Sequence, residues 1–134
     1  MRSLSVLICS ELLDIRRRGD LPGKTDLVVV PAWNRDTATF DHTVQTTAGD
    51  LHCFVAVANN AQFSDCRVYA PRKERYERDA CRLISPGENE TVGAPMRASD
   101  LRRFQLFSLG RLKTTSRITR LFKPIPPGYE YRRP

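Results

Sequence analysis

With 134 residues, of which 40% are hydrophobic and 28% charged, the chain has the size and composition of one globular domain, and we expect it in the cytoplasm. No apolar run approaches the roughly 20 residues that a membrane helix needs, so we expect no membrane association. The four cysteines form no Cys-x-x-Cys pair and the chain has two histidines, so we expect free thiols and neither a metal nor a cofactor.

The first motif is a short apolar run that ends in a cysteine. Residues 4–8 predict a buried strand, and residues 11–18 predict a helix with arginines in its last turn. Cys9 then lies at a strand-to-helix elbow, where the dipole of the helix would favour a thiolate. This position suits a nucleophile; the alternative is an inert buried thiol, as most buried cysteines are. The apolar side of the helix is expected to contain Leu12, Leu13 and Ile15.

Two further apolar runs predict the centre of a sheet. Residues 26–31 and 53–58 are expected to be strands buried on both faces. Asp36 or Thr37 is a candidate cap for the helix between them. The buried face of that helix is predicted to consist of Phe40, Val44, Ala48 and Leu51.

Later motifs are shorter. Strands are expected over 66–70 and 80–84, with a charged insertion at 72–79 and a turn at 86–89, which together indicate hairpin character. An apolar cluster that should dock on some other surface follows, and it contains Leu101, Phe104, Leu106, Phe107 and Leu109.

The chain ends in a basic, proline-rich segment. The net charge is +7, and residues 97–134 hold ten Lys or Arg against two acids, so the body is nearly neutral. We divide the chain into a domain over 1–110 and an extended tail over 111–134. The basic residues could contact nucleic acid, an acidic partner or an anionic surface, or form a solvated extension.

The order of strands and helices in the first 58 residues predicts an α/β layer, to which the later strands add a mixed part of the sheet. This order resembles the C-terminal half of the carbon–nitrogen hydrolase (nitrilase/amidase) superfamily, from residue 4 to about residue 92. Ile-Cys-Ser-Glu at 8–11 is similar to the nucleophile motif of that family, and residues 26–33 are similar to the strand and pocket loop that follow it. Residues 66–71 resemble the Ser-x-Ile-x-x-Pro strand, with Cys66 in the Ser position.

The resemblance implies a four-layer α-β-β-α sandwich, of which this chain would form about half, with an irregular basic extension. It also implies a Glu-Lys-Cys triad in which Cys9 attacks an amide or nitrile carbon to form a thioester or thioimidate. A glutamate would be the general base and a lysine would stabilise the tetrahedral intermediate, with a backbone N–H beside the thiol helping to form an oxyanion hole. The implied oxyanion and pocket residues are Ser10, Glu11, Trp33, Asn34, Asn59 and Cys66.

Some residues depart from the family pattern. The glutamate and lysine of the triad precede the nucleophile in the family, whereas only Arg2 is basic and no residue is acidic before Cys9. Ser10 replaces the usual aromatic residue, and Glu11 matches an acid that shapes the site without being the base. Trp33 could equally cap the core, and Cys66 could equally fill space.

Three interpretations follow: a fragment of a longer polypeptide, one chain of a split enzyme, or a degenerate non-catalytic relative. The expected partner is the preceding half or a partner chain, in a homo- or hetero-oligomer. The competing hypothesis is a non-catalytic binding or assembly module that contacts nucleic acid or an acidic partner through residues 97–134.

Overall fold

The computed structural model describes residues 3–129 and contains one five-stranded mixed sheet. The strands follow one another in the sheet as they do in the chain; the first three are parallel, and the last two are antiparallel to their neighbours. The α/β class with a mixed sheet, as predicted, is confirmed. The strands are β1 (Leu4–Val6), β2 (Leu27–Ala32), β3 (Phe54–Asn59), β4 (Cys66–Tyr69) and β5 (Asp79–Leu83), and the α-helices are α1 (Ile15–Gly19), α2 (Thr37–Leu51) and α3 (Ala98–Ser108).

The two central strands are buried on both faces, as their apolar runs predict. Val28 and Val30 of β2 are fully buried in a first core on one face of the sheet. Leu27, whose register partner is Phe54 of β3, points to a second core on the other face. Such burial explains why these strands lack the alternation of apolar and polar residues that a half-exposed strand shows.

The helix α2 covers the first core. Asp36 caps it, since its carboxylate accepts a hydrogen bond from the N–H of Thr39 at 3.0 Å. The helix ends at Leu51, and the cap residue His52 adopts a left-handed conformation with φ 50°. All four residues of the predicted apolar face are buried: Phe40, Val44, Ala48 and Leu51.

The helix α3 covers part of the opposite face. Leu101 and Phe104 enter the second core beside Phe54, which confirms that the apolar cluster docks on the domain. Phe107 stays 39% exposed, so only one side of the helix is buried.

The rest of that face stays partly open. Five side chains lie in register across all five strands, and we call them the apolar row: Val6, Val29, Ala56, Val68 and Cys81. Val6 is 52% exposed and the other four are half-buried. A cleft of about 350 Å³ lies against this row and is bordered by the loop that contains residues 90–92.

The segment after residue 110 packs on the domain. It is irregular, as the sequence predicts, apart from a short 3₁₀ turn at Ile118–Arg120. Ile118, Phe122 and Tyr129 are nevertheless buried, and the first two belong to the second core. The division predicted at residue 110 therefore separates a regular part from an irregular part that shares its core. Glu130, Arg132 and Arg133, which enter the predicted charge of this segment, lie outside the described residues, as does Arg2.

Two predictions for the first 20 residues are wrong. The helix expected over 11–18 is replaced by a 3₁₀ turn at Cys9–Leu12 and by the short α1, and its expected apolar side is split. Leu12 is fully buried, whereas Leu13 is 44% and Ile15 is 74% exposed. The strand expected over 4–8 is shorter and lies at the edge of the sheet, and its residues Leu4 and Val6 are 50% and 52% exposed. The pattern of apolar residues alone does not distinguish an edge strand from a central one.

Candidate active site at the carboxyl edge of the sheet

The predicted site residues lie where the parallel strands end. Cys9 follows β1, Trp33 and Asn34 follow β2, and Asn59 is the last residue of β3. Because parallel strands end at the same edge of a sheet, these residues come together there, and this edge is where open α/β sheets bind ligands.

Cys9 occupies a strained elbow. Its φ is 48°, in the left-handed region that residues other than glycine rarely adopt. The elbow is held from both sides, because the N–H of Glu11 donates to the carbonyl of Ile8 at 3.0 Å and the Glu11 carboxylate accepts from the N–H of Ile8 at 2.8 Å. Strain of this kind persists where the surrounding structure enforces it, and it is frequent at functional sites.

The Cys9 thiol is partly exposed. Within residues 3–129, its one hydrogen bond goes from Sγ to the carbonyl of Trp33 at 3.8 Å. The Trp33 residue that supplies this carbonyl is 71% exposed. Trp33 therefore borders the site and does not cap the core, which was the alternative interpretation of this residue.

Glu11 is engaged in the turn. Besides the bond to the Ile8 N–H, its carboxylate lies 3.8 Å from the Arg17 guanidinium. Ser10, which follows Cys9, is exposed. The four-residue turn offers few aligned peptide dipoles, so the thiol lacks the support of the short helix that was expected over residues 11–18.

Asn59 clamps two loops together. Its Oδ1 accepts from the N–H groups of Asn34 at 2.9 Å and Asn60 at 3.0 Å, and its Nδ2 donates to the carbonyls of Asn34 at 2.9 Å and Ser64 at 2.7 Å. These bonds use both donors and both acceptor positions of the amide. Asn59 thus positions the loop that carries Trp33, and its own amide has no capacity left for a ligand.

Cys66 lies beside this clamp. Its Sγ contacts the carbonyl of Asn59 at 3.5 Å, and it borders a cleft of about 240 Å³ that is also lined by Glu88 and Glu90. Among the other cysteines, Cys53 is fully buried in the first core, as expected for a packing residue.

A buried ion pair near the site was missed by the sequence analysis. Arg67 of β4 is 4% exposed; it pairs with Asp41 of α2 and donates from Nε to Asp79 of β5 at 2.8 Å. Burial lowers the pKa of its guanidinium, which the bond to Asp79 opposes. The signal in the sequence is a single arginine inside an otherwise apolar strand, which requires a buried partner. Through these two carboxylates Arg67 ties α2 to β5, and Arg67, Asp41 and Asn59 line one small cleft.

Comparisons with known proteins show no family for this chain. Neither the protein-family models nor the curated proteins give a match. Among residues 3–129, no group of three or more His, Cys, Asp or Glu side chains is arranged to hold a metal ion. Within the same range, no helix is both long and apolar enough to cross a membrane. The candidate site therefore rests on its own geometry.

Proposed function

We propose that this chain is the nucleophile-bearing half of a nitrilase-like carbon–nitrogen hydrolase, with Cys9 at the position that attacks an amide or nitrile carbon. The observation that carries the proposal is the left-handed elbow of Cys9 at the carboxyl edge of the sheet. The elbow presents a partly exposed thiol beside the carbonyl of Trp33. A thiol is the most nucleophilic side chain near neutral pH, and a few per cent of it is thiolate even without activation.

The proposed chemistry needs two groups that the described residues do not bring to the thiol. Attack by Cys9 Sγ on an amide carbon forms a thioester as the C–N bond breaks, and the departing ammonia or amine takes up the thiol proton by way of the general base. Attack on a nitrile carbon forms a thioimidate, whose nitrogen takes up that proton. A general base must accept the thiol proton, and a cation must stabilise the tetrahedral intermediate. Glu11 is occupied in the turn, and within residues 3–129 no lysine bonds to Cys9. We therefore assign the base and the cation to a second half of the fold, in the same polypeptide or in a partner chain.

The open face of the sheet favours this assignment. On the face opposite α2, Val6 of the apolar row is 52% exposed and the other four side chains are half-buried, although Val29 and Ala56 also pack against the second core. A second sheet packed face to face at about 10 Å would bury this row and complete an α-β-β-α sandwich. The occupant we infer for the face is therefore the second half itself, in a homo- or hetero-oligomer when it is a separate chain.

The reactivity of Cys9 is testable on the chain alone. Brief treatment with a limiting amount of iodoacetamide, followed by intact-mass and peptide analysis, should alkylate Cys9 before the other thiols. Cys9→Ala should remove most of the early label, and Cys66→Ala, the matched control at the neighbouring half-exposed thiol, should not. Equal loss of label in both variants would contradict the nucleophile position.

Catalysis has a separate test. The chain alone should not hydrolyse aliphatic amides or nitriles, and adding the second half should restore turnover that Cys9→Ala abolishes. Turnover retained by Cys9→Ala in the completed enzyme would refute the proposal even if the thiol is reactive.

A second candidate function is binding through the basic C-terminal residues. The basic residues that are exposed and form no ion pair within residues 3–129 include Arg103, Arg111, Lys113 and Arg120. We propose nucleic acid or an acidic protein as the ligand of this surface. Replacing all four with glutamine should weaken binding and reduce the salt dependence of the association constant by about four counterions. This variant is preferable to truncation near residue 110, which would remove the buried Ile118 and Phe122.

A further inference from the structure

A second cleft lies at the opposite edge of the sheet from Cys9, where β3 begins. Its volume is about 350 Å³, and its apolar floor includes Phe54 and Ala70. It opens between the loop after β4, the start of α3 and the 3₁₀ turn Ile118–Arg120. The charged side chains that line it are Arg72, Arg97, Arg117 and Glu77.

Hydrogen bonds on both sides of Arg72 hold its backbone in place. The residues that flank it pair with the C-terminal segment, since Lys73 N–H donates to the carbonyl of Leu121 at 3.1 Å and Lys123 N–H donates to the carbonyl of Pro71 at 3.0 Å. The carbonyl of Arg72 also accepts a 3.2 Å hydrogen bond from a side chain of the same loop. The cleft therefore has a fixed cationic residue on one wall.

The guanidinium of Arg72 lies over an aromatic ring. Its carbon is 4.5 Å from the centroid of Phe122, and the group makes no hydrogen bond or ion pair within residues 3–129. Burial lowers its pKa, and the charges of Arg97 and Arg117 lower it further, whereas Glu77 and Asp100 oppose this. Three guanidiniums thus share a half-enclosed site in which they repel one another.

These three cations are incompletely neutralised. Arg97 lies 4.0 Å from the Asp100 carboxylate, and Arg117 is exposed with no ion pair in the described part of the chain. Guanidinium groups bind phosphate through paired N–H donors, and a partly desolvated site strengthens such bonds. We propose that this cleft binds a compact phosphate-bearing ligand, a phosphomonoester or inorganic phosphate, whose non-phosphate part would rest on the apolar floor.

The proposal is independent of the proposed hydrolase function. The cleft is formed by the start of β3, the end of β4 and the C-terminal segment, and it shares no residue with the Cys9 elbow. It also differs from the basic surface assigned above, because Arg103, Arg111, Lys113 and Arg120 do not line it.

Calorimetric titration tests the proposal on the full chain. Inorganic phosphate, phenyl phosphate and an oligothymidylate without a terminal phosphate would each be titrated at constant ionic strength. Phenyl phosphate should bind saturably. Arg117→Gln should lower its affinity about tenfold, which is the loss expected for one charge-assisted hydrogen bond. Arg120→Gln is the matched control, because it makes the same change of charge two residues from the buried Ile118 but outside the cleft. It should change the affinity less than about twofold.

Arg97→Gln provides a second variant at an exposed position, and it should weaken the binding of phenyl phosphate about as much as Arg117→Gln does. Weakening by Arg117→Gln equal to that by Arg120→Gln would overturn the proposal, because it would show a diffuse charge effect. Binding of the oligothymidylate alone, or of no probe, would overturn it as well. A Cys9→Ala chain should bind phenyl phosphate unchanged, which keeps this test separate from that of the hydrolase.

Discussion

Replacing Phe122 with alanine should destabilise the whole domain, although the residue lies in the segment that the sequence marks as a tail. Its side chain is 2% exposed, and its ring centroid is 5.5 Å from that of Phe104 and 6.4 Å from that of His52. Its neighbours are joined to residues 71 and 73 by backbone hydrogen bonds, so the surrounding structure cannot collapse freely into the space that the ring leaves.

The magnitude follows from the loss of packing. A buried phenylalanine truncated to alanine costs about 3–5 kcal/mol, and the lost aromatic and cation–π contacts place Phe122→Ala in the upper part of that range, about 4–5 kcal/mol. A domain of this size has a free energy of unfolding of about 5–15 kcal/mol. The variant should therefore lose between about a third and nearly all of the stability of the native chain.

Urea unfolding followed by far-UV circular dichroism measures this loss. Phe107→Ala is the matched control, because Phe107 is 39% exposed on α3, and it should lose about 1 kcal/mol or less. If both variants lose the same free energy, or if Phe122→Ala leaves the main transition unchanged, the C-terminal segment does not belong to the cooperative unit and the reasoning is refuted.

Three further predictions concern the elbow, the cap of α2 and the buried ion pair. Cys9→Gly should be about 0.5–1 kcal/mol more stable than Cys9→Ala in urea unfolding, because glycine relieves the positive φ; the reverse order would show that the elbow is unstrained. The hydrogen bond from Thr39 lowers the pKa of Asp36, so its carboxylate stabilises the fold above about pH 4 and loses this effect as the pH falls. The advantage of the native chain over Asp36→Ser should therefore shrink in acid, and a constant difference between pH 7 and pH 3 would contradict the lowered pKa. Arg67→Met should cost about 3 kcal/mol because it leaves Asp41 without its cation, and adding Asp41→Leu should restore part of this loss; strictly additive losses would speak against the pair.

The central elements were predictable because one physical signal determines each of them. The apolar runs of β2 and β3 are long enough that only burial on both faces accommodates them, and α2 has a cap, an apolar face and an end within one uninterrupted pattern. The candidate site residues lie at one edge of the sheet for a related reason. Cys9 and Trp33 follow apolar strands and Asn59 ends one, and the parallel arrangement brings the ends of those strands together.

What the sequence did not predict depends on contacts between distant residues. The contacts among the rings of Phe122, Phe104 and His52 join three segments of the chain. Nothing in the basic sequence around Phe122 indicates that this residue is buried. Similarly, the pairing of Arg67 with Asp41 requires that a strand and a helix meet at one register. The continuous helix expected after Cys9 does not form, because Leu13 and Ile15 stay exposed and do not pack on the core. Tertiary packing supplies most of the stability of short helices.

The position of β1 has a consequence for how the thiol behaves over time. This strand has three residues, lies at the outer edge of the sheet and pairs with one neighbour, whereas β2 and β3 pair along six residues. Short, exposed elements open locally without unfolding the rest of a domain. The Cys9 elbow is therefore attached to a strand that opens readily. Amide hydrogen exchange should be faster in β1 than in the two central strands. Under the proposed function, a second sheet packed on the apolar row should slow this local opening, so slower amide exchange at residues 4–9 is the expected result of binding the proposed second half.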